Sequence, residues 1–265
     1  MRKLTLTDVE KLRLVLSVYQ DGSGQLARPD GSTLPGWRNF ERSVSLIFEG
    51  LAQESKAIFD VLVPTGGQSY YGISCKMRRE LKRNPAEQSV VPLELSNAAR
   101  HFWTAIKLHP ELNERNYKKH PDLVGKAIIS LVNQWHENAS DQMGVYIDLA
   151  SSFYLVLLWN KQGVYQLFQF PHQLPDPRNL NWRFPLTKSG QMGNHLRGED
   201  SRGKVFEWYG ESGGQLKYYP RVQDAVWKSR PFRLEPLPPE SPHGVLARVE
   251  AYFPEQWQKV SQATP

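Results

Sequence analysis

Cysteine occurs once in these 265 residues, as Cys75. An intramolecular disulfide framework and most cysteine-rich zinc sites are therefore excluded, as expected of a chain in a reducing compartment. Long apolar runs are also missing. The most hydrophobic stretch, FYLVLLW, is seven residues long, whereas a membrane-spanning helix needs about 20. The opening MRKLTLTDVEKLRLVL alternates charge with leucine where a secretory signal would carry an apolar h-region. A soluble, cytoplasmic protein with no membrane partner is expected. The seven histidines, His101, His109, His120, His136, His172, His195 and His243, show no paired zinc-ligand spacing, and each reads as a surface or hydrogen-bonded residue. Acidic residues are the minority charge, 27 Asp and Glu against 33 Lys and Arg. That excess suits a polyanionic partner, and equally a plain basic surface.

What is present reads as a mixed α/β chain long enough to bury a sizeable core. Helical spacing of Leu4, Val9, Leu12, Val15 and Leu16 is followed by the Gly- and Pro-rich loop DGSGQLARPDGSTLPG. A second helix is predicted over 37–53, where Trp37, Phe40, Val44, Phe48 and Leu51 form a stripe. On that wheel Glu41 faces inward, and Glu49 and Glu54 face away. AIFDVLV reads as a strand covered on both faces, PTGG as a turn, and SYYGISCK as a second strand. Alternation puts Ser74 and Lys76 on one face and Cys75 on the other. A helix is predicted from Pro92, with Leu95, Ala99, Phe102 and Ile106 at core spacing and Glu94 in its first turn. Another helix follows over 123–137, then strands over 153–159 and 164–170. From PHQLPDPRNLNW onward the composition shifts to Pro, Gly, aromatic and basic residues. The predicted division is an N-terminal helix and loop (1–35), a core (36–175) and a β-rich C-terminal extension (176–265).

Asp60 and Lys76 carry the chemical signal. A carboxylate among apolar strand residues is costly unless it is paired or bound to a metal. If adjacent strands bring the two together, Asp60 and the Cys75 backbone carbonyl supply hard oxygen to a divalent ion while Lys76 positions a water, an arrangement suited to phosphodiester hydrolysis. A plain ion pair at the end of the sheet explains the same residues equally well.

The order of helix with inward Glu, strand with Asp, turn, strand ending in x-x-Lys, and helix resembles the PD-(D/E)XK nuclease superfamily, which includes most type II restriction endonucleases. The likeness spans about residues 37–103. FDVLVP, GISCKMRREL and ELSNAARHFW are similar to phrases in restriction-endonuclease-like proteins. It implies a restriction-endonuclease-like core with a central mixed sheet flanked by helices, Mg2+ as cofactor with Mn2+ as substitute, double-stranded DNA as substrate and a homodimer. Two positions depart from the family pattern. Phe59 precedes the aspartate where proline is common, and Ser74 stands where the family carries Glu or Asp. Some members supply the missing acid from the following helix, which makes Glu94 the candidate here, against an ordinary N-terminal helix charge. Glu41 is a second candidate acid, against pairing with Arg38 or Arg42.

For contacts to DNA, Arg78, Arg79, Lys82 and Arg83 form a cationic run beside the site. Arg197, Arg202, Lys204 and Lys217 interleave with Tyr218 and other aromatics in the extension. The rival readings are a solvated face for the run and a hairpin packed on the core for the extension. For the chain as a whole they are a repair or structure-selective nuclease, or a non-catalytic DNA-binding protein on a degenerate nuclease fold.

Overall fold

The computed structural model describes residues 1–53, 58–238 and 244–261. Glu54 and His243 lie outside the described residues. In chain order the elements begin with α1 (Leu6–Val18), the short strands β1 (Leu26–Ala27) and β2 (Thr33–Leu34), α2 (Trp37–Ile47) and β3 (Leu51–Ala52). Next come β4 (Val61–Gly66), β5 (Ser69–Arg78), β6 (Leu93–Asn97), α3 (Ala99–Lys107), α4 (Pro121–Glu137) and α5 (Ala139–Met143). The chain continues through β7 (Tyr146–Ile147), β8 (Phe153–Trp159), β9 (Tyr165–Pro171), β10 (Asn181–Arg183), β11 (Leu196–Asp200), β12 (Gly203–Tyr209), β13 (Gln215–Tyr218) and β14 (Trp227–Lys228). It closes with α6 (Val245–Tyr252) and α7 (Pro254–Ser261).

The larger sheet is mixed and runs β14-β9-β8-β5-β4-β3, with β7 beside β5. β4 and β5 are an antiparallel hairpin, and β5 lies parallel to β8. A parallel neighbour needs a crossover, and α3 and α4 lie in the intervening chain. β8 shows why both faces of this sheet are apolar. Phe153, Leu155 and Leu157 join the cluster built by Leu12, Leu16, Phe40 and Val44 of α1 and α2. Tyr154, Val156 and Leu158 join the cluster of α3 and α4, with Phe102, Ile128 and Val132. The α/β class and a central mixed sheet flanked by helices agree with expectation.

Helix starts follow local chemistry. Thr5 caps α1 by accepting the Asp8 N–H at 3.1 Å, and Asp8 returns the bond to the Thr5 N–H at 2.8 Å. Pro121 opens α4 at a position with no need of an N–H.

Three expectations are corrected. α2 ends at Ile47, well short of residue 53. PTGG is mostly strand: Pro64 and Gly66 pair with Tyr70 and Ser69, and the reversal falls at Gly67, whose φ is 59°. The helix expected from Pro92 begins only at Ala99, and Glu94 stands on β6. Tertiary pairing overrides the local pattern there, because β13 offers residues 93–97 a main-chain partner.

That pairing joins β6 to the second sheet, ordered β10-β11-β12-β13-β6. Its inner face, with Trp182, Leu196, Phe206, Trp208 and Leu216, shares one apolar cluster with α3 and α4. The C-terminal stretch is β-rich to β14 and then helical. Among the described residues, no helix is long and apolar enough to cross a membrane.

The outer face of this sheet carries a cross-strand charge row: Arg197 opposite Glu207, Glu207 opposite Lys217, and Lys217 opposite Glu94. Glu207 is its hub, 3% exposed, and accepts from Arg197 (2.8 Å), Lys204, Tyr209 and Tyr219 (2.9 Å each). Burial alone would raise its carboxyl, but the four donors outweigh that and hold it at about 2. A depressed carboxylate stabilises the fold above its unfolded value, and that contribution is lost as pH falls from about 4.3 toward 2. Replacement by the neutral amide, Glu207→Gln, is expected to cost about 2 kcal/mol in urea unfolding at pH 7, with the deficit closing on acidification toward pH 3.

Candidate functional site

Asp60 is the last residue before β4 and stays within the backbone ladder. Its N–H donates to Ile73 O at 3.0 Å, and its own carbonyl accepts from the Gln53 N–H at 2.9 Å. Val61 pairs with Ile73 and the Asp60 N–H meets Ile73 as well, so the ladder is irregular at Asp60. Phe59, just before it, is 1% exposed. Its ring lies across Gly72, where an added Cβ would fall 2.2 Å from the ring. Phe59 is thus a packing anchor, and Gly72 is the space it needs.

Asp60 Oδ2 accepts the Cys75 N–H at 2.7 Å and the Ser74 hydroxyl at 3.4 Å, and lies 3.8 Å from Lys76 Nζ. The Asp60 and Lys76 side chains keep 24% and 23% of their surface exposed. Burial pushes the Asp60 carboxyl above the ordinary aspartate value, against the opposing pull of Lys76, the Cys75 N–H and Ser74. Ser74 is buried and adds a hydroxyl where a second carboxylate would bring charge. Cys75 meets Asp60 through its N–H. Its thiol packs in the α1–α2 cluster, where burial first, and then Asp60 and Glu41, raise it far from thiolate formation.

Two concavities flank Lys76. One, of about 380 Å³, holds Asp60, Ser74 and Lys76 with His101, Trp135, His136 and Tyr154. The other, of about 430 Å³, is lined by Glu41, Cys75, Lys76, Arg78 and Glu94. Lys76 forms a wall of both, so the acids suggested by the sequence are divided: Asp60 on one side, Glu41 and Glu94 on the other. Glu94 also has firm partners, accepting from Arg78 at 3.0 Å and from Asn97. Among the described residues, no three His, Cys, Asp or Glu side chains converge to hold a metal. Magnesium needs less, being held by one or two carboxylates together with water and substrate phosphate oxygens. Asp60 fits that smaller requirement. Glu94 joins it only by leaving Arg78.

The cationic residues are placed unevenly. Arg78 is tied to Glu80 at 2.7 Å as well as to Glu94. Arg79 lies 5.0 Å from the Trp159 ring centroid, and exposed Lys82 and Arg83 line a shallow surface beyond. In the extension, Arg197 and Lys204 hold Glu207, while Arg202 reaches Asp224 at 3.1 Å and Asp200 at 3.6 Å. Lys217 sits 4.9 Å from the Tyr209 ring centroid, and Tyr218 stacks on Phe206. This arrangement matches the packed-hairpin alternative, with outward-facing charge remaining on its surface.

The histidines are where spacing misled. His136 lines the Asp60 cavity, and its ring centroid is 3.9 Å from that of His172. His172 is 3% exposed, and its Nε2 has no hydrogen-bond partner among the described residues. Burial, aided by the charge of Lys76, lowers His136 to about 4. Burial, then His136 and Lys76, lowers His172 to about 2. Both are neutral at physiological pH. A signal for His136 existed: it lies four residues after Val132 on a predicted helix, hence on the core-facing side. Trp135, three residues after Val132, shares that helical signal, and Tyr154 lies in the predicted strand over 153–159; no sequence signal marked His172.

No protein-family model, curated protein or solved structure matches the chain.

Two outcomes follow for the site. Gly72→Ala should force Phe59 and Asp60 to shift, at a cost of about 1–3 kcal/mol, measured by urea denaturation and by displaced NMR resonances around Asp60. A histidine held neutral in the fold stabilises it above its unfolded value and loses that contribution as pH drops below about 6.5. Stability should therefore fall with acidification at up to about 1.4 kcal/mol per pH unit for His172, and His172→Phe should flatten that slope in unfolding curves between pH 6.5 and 4.5.

Proposed function

We propose that the protein is a magnesium-dependent endodeoxyribonuclease with a PD-(D/E)XK-like core, hydrolysing phosphodiester bonds in double-stranded DNA as a type II restriction endonuclease. The observation that carries the reading is the Asp60–Lys76 pair: two groups sixteen residues apart, joined by a hairpin, with 3.8 Å between Oδ2 and Nζ at the mouth of a cavity. The adjoining concavity gives a substrate phosphate and an ion room beside the pair, which a purely structural ion pair does not need. Support also comes from the topology, an antiparallel hairpin with its second strand parallel to β8 across a helical connection.

In this reading Asp60 would hold the ion, with Mg2+ or Mn2+ neutralising charge on the phosphate oxygens when bound. Lys76 orients the attacking water and balances charge as the water adds to phosphorus in line with the leaving oxygen. Arg79, Lys82 and Arg83 meet flanking phosphates. Glu94 and Glu41 stand in reserve across Lys76, and a phosphate that draws Arg78 away would free Glu94. A homodimer places two such sites on the two strands of a palindromic target, in the cytoplasm where foreign DNA is met.

A second reading rests on the absence of a three-acid cluster among the described residues and on buried Ser74: a DNA-binding protein that has lost catalysis. Incubation with a sequenced phage genome in magnesium, followed by end sequencing, separates the two. Defined fragments support restriction; salt-sensitive binding without cleavage in magnesium or manganese supports the binder. Lys76→Ala and Asp60→Asn are each expected to reduce cleavage by at least about 100-fold, and undiminished cleavage by either variant sinks the proposed mechanism. Asp60→Asn should be no less stable than the parent at pH 7, because a raised carboxyl destabilises the fold once ionised.

A further inference from the structure

The concavity beside Asp60 is larger and more aromatic than a phosphodiester requires. It holds about 380 Å³, within the range of small-molecule sites, whereas magnesium and phosphate would be served by an open strand edge. Its walls include Leu95, Val132 and the half-buried Trp135, with His101 at the mouth. Trp135 is braced edge-on by His101, with ring centroids 6.0 Å apart, and against Phe102 at 5.7 Å. Asp60 and Lys76 are the Asp, Glu, Lys or Arg side chains among its described lining residues.

Tyr154 gives the second observation. It is 2% exposed and lines the cavity, yet its hydroxyl has no hydrogen-bond partner among the described residues. A buried hydroxyl left unpaired costs about 1–3 kcal/mol, a cost that a polar ligand atom reaching it from the cavity would remove. His136 stands beside it, its ring held neutral between His172 and the cavity.

We infer that this cavity receives one unstacked nucleobase of the DNA strand whose phosphate lies at Asp60 and Lys76. A planar, uncharged heterocycle matches the aromatic and apolar walls, and its edge supplies a partner for the Tyr154 hydroxyl. Extruding a base costs a few kcal/mol, least where pairing is already weak. The protein therefore binds a mismatched or unpaired base at this position more tightly than a matched pair. This rests on the nuclease reading for its choice of polymer, but not on catalysis.

Photo-cross-linking tests it. The full-length protein is bound, without divalent metal, to a random-sequence duplex library carrying 5-iodouracil in place of thymine, irradiated, and mapped by mass spectrometry. Cross-links to Trp135, His136 or Tyr154 are expected, lost in Ala98→Leu, which places a side chain in the cavity. Cross-links confined to residues outside the cavity, or retained by Ala98→Leu, overturn the inference. Tyr154→Phe provides the control for folding. It should leave the melting temperature unchanged or raised while weakening affinity for a singly mismatched duplex about fivefold; a fall in stability with unchanged affinity gives the hydroxyl a structural role and overturns its part. DNA cleavage without cavity cross-links sinks this inference alone, and cavity cross-links without cleavage in magnesium or manganese sink the nuclease reading alone. Absence of any DNA binding sinks both.

Discussion

The ring of Phe59 over Gly72 sets the position of everything chemical in this molecule. A side chain at residue 72 would occupy the same space as that ring, and with the ring displaced the next residue, Asp60, would lose its placement beside Ser74 and Cys75. Because the ladder continues through the Asp60 N–H to Ile73, the carboxylate arrives at the backbone of Cys75 and within reach of Lys76. The same hairpin sends Tyr71, Ile73 and Cys75 into the α1–α2 cluster. Packing on one face therefore fixes the orientation of polar groups on the other, as the two-residue period of a strand requires.

The second sheet acts on the site from a distance. By taking β6 as its outermost strand, it pulls residues 93–97 out of the helix that local spacing favours and sets Glu94 beside Arg78 and opposite Lys217. Glu207 then holds the neighbouring strands through four donors. Charges that resemble a nucleic-acid surface in linear order are spent in part on holding this sheet together. Lys82 and Arg83 remain turned to solvent.

Legibility followed the range of the forces involved. β8 was readable to the residue, because a strand covered on both faces is apolar throughout and ends where turn residues begin. Asp60 and Lys76 were readable because a charge among apolar strand residues stands out, and a short hairpin is the simplest way to bring two strands together. Glu94 was misplaced because its helix was judged from Leu95, Ala99, Phe102 and Ile106, a spacing that says nothing of a strand 120 residues away. The burial of Tyr154 was readable with the rest of β8, whereas its unpaired hydroxyl and the placement of His172 were not, since a missing partner leaves no trace in composition or period.

The amino-acid sequence by itself determined the α/β class, the hairpin that joins Asp60 to Lys76, and the apolar strands around them. Each of these depends on neighbours within a few residues and on periodic burial. Tertiary structure alone decided that Lys76 would divide the acids between two concavities, that β6 would be a strand, and that His136, Trp135 and Tyr154 would line the cavity that holds Asp60. Those outcomes arise from contacts between distant segments, where the free energy of packing and of main-chain pairing outweighs local preference.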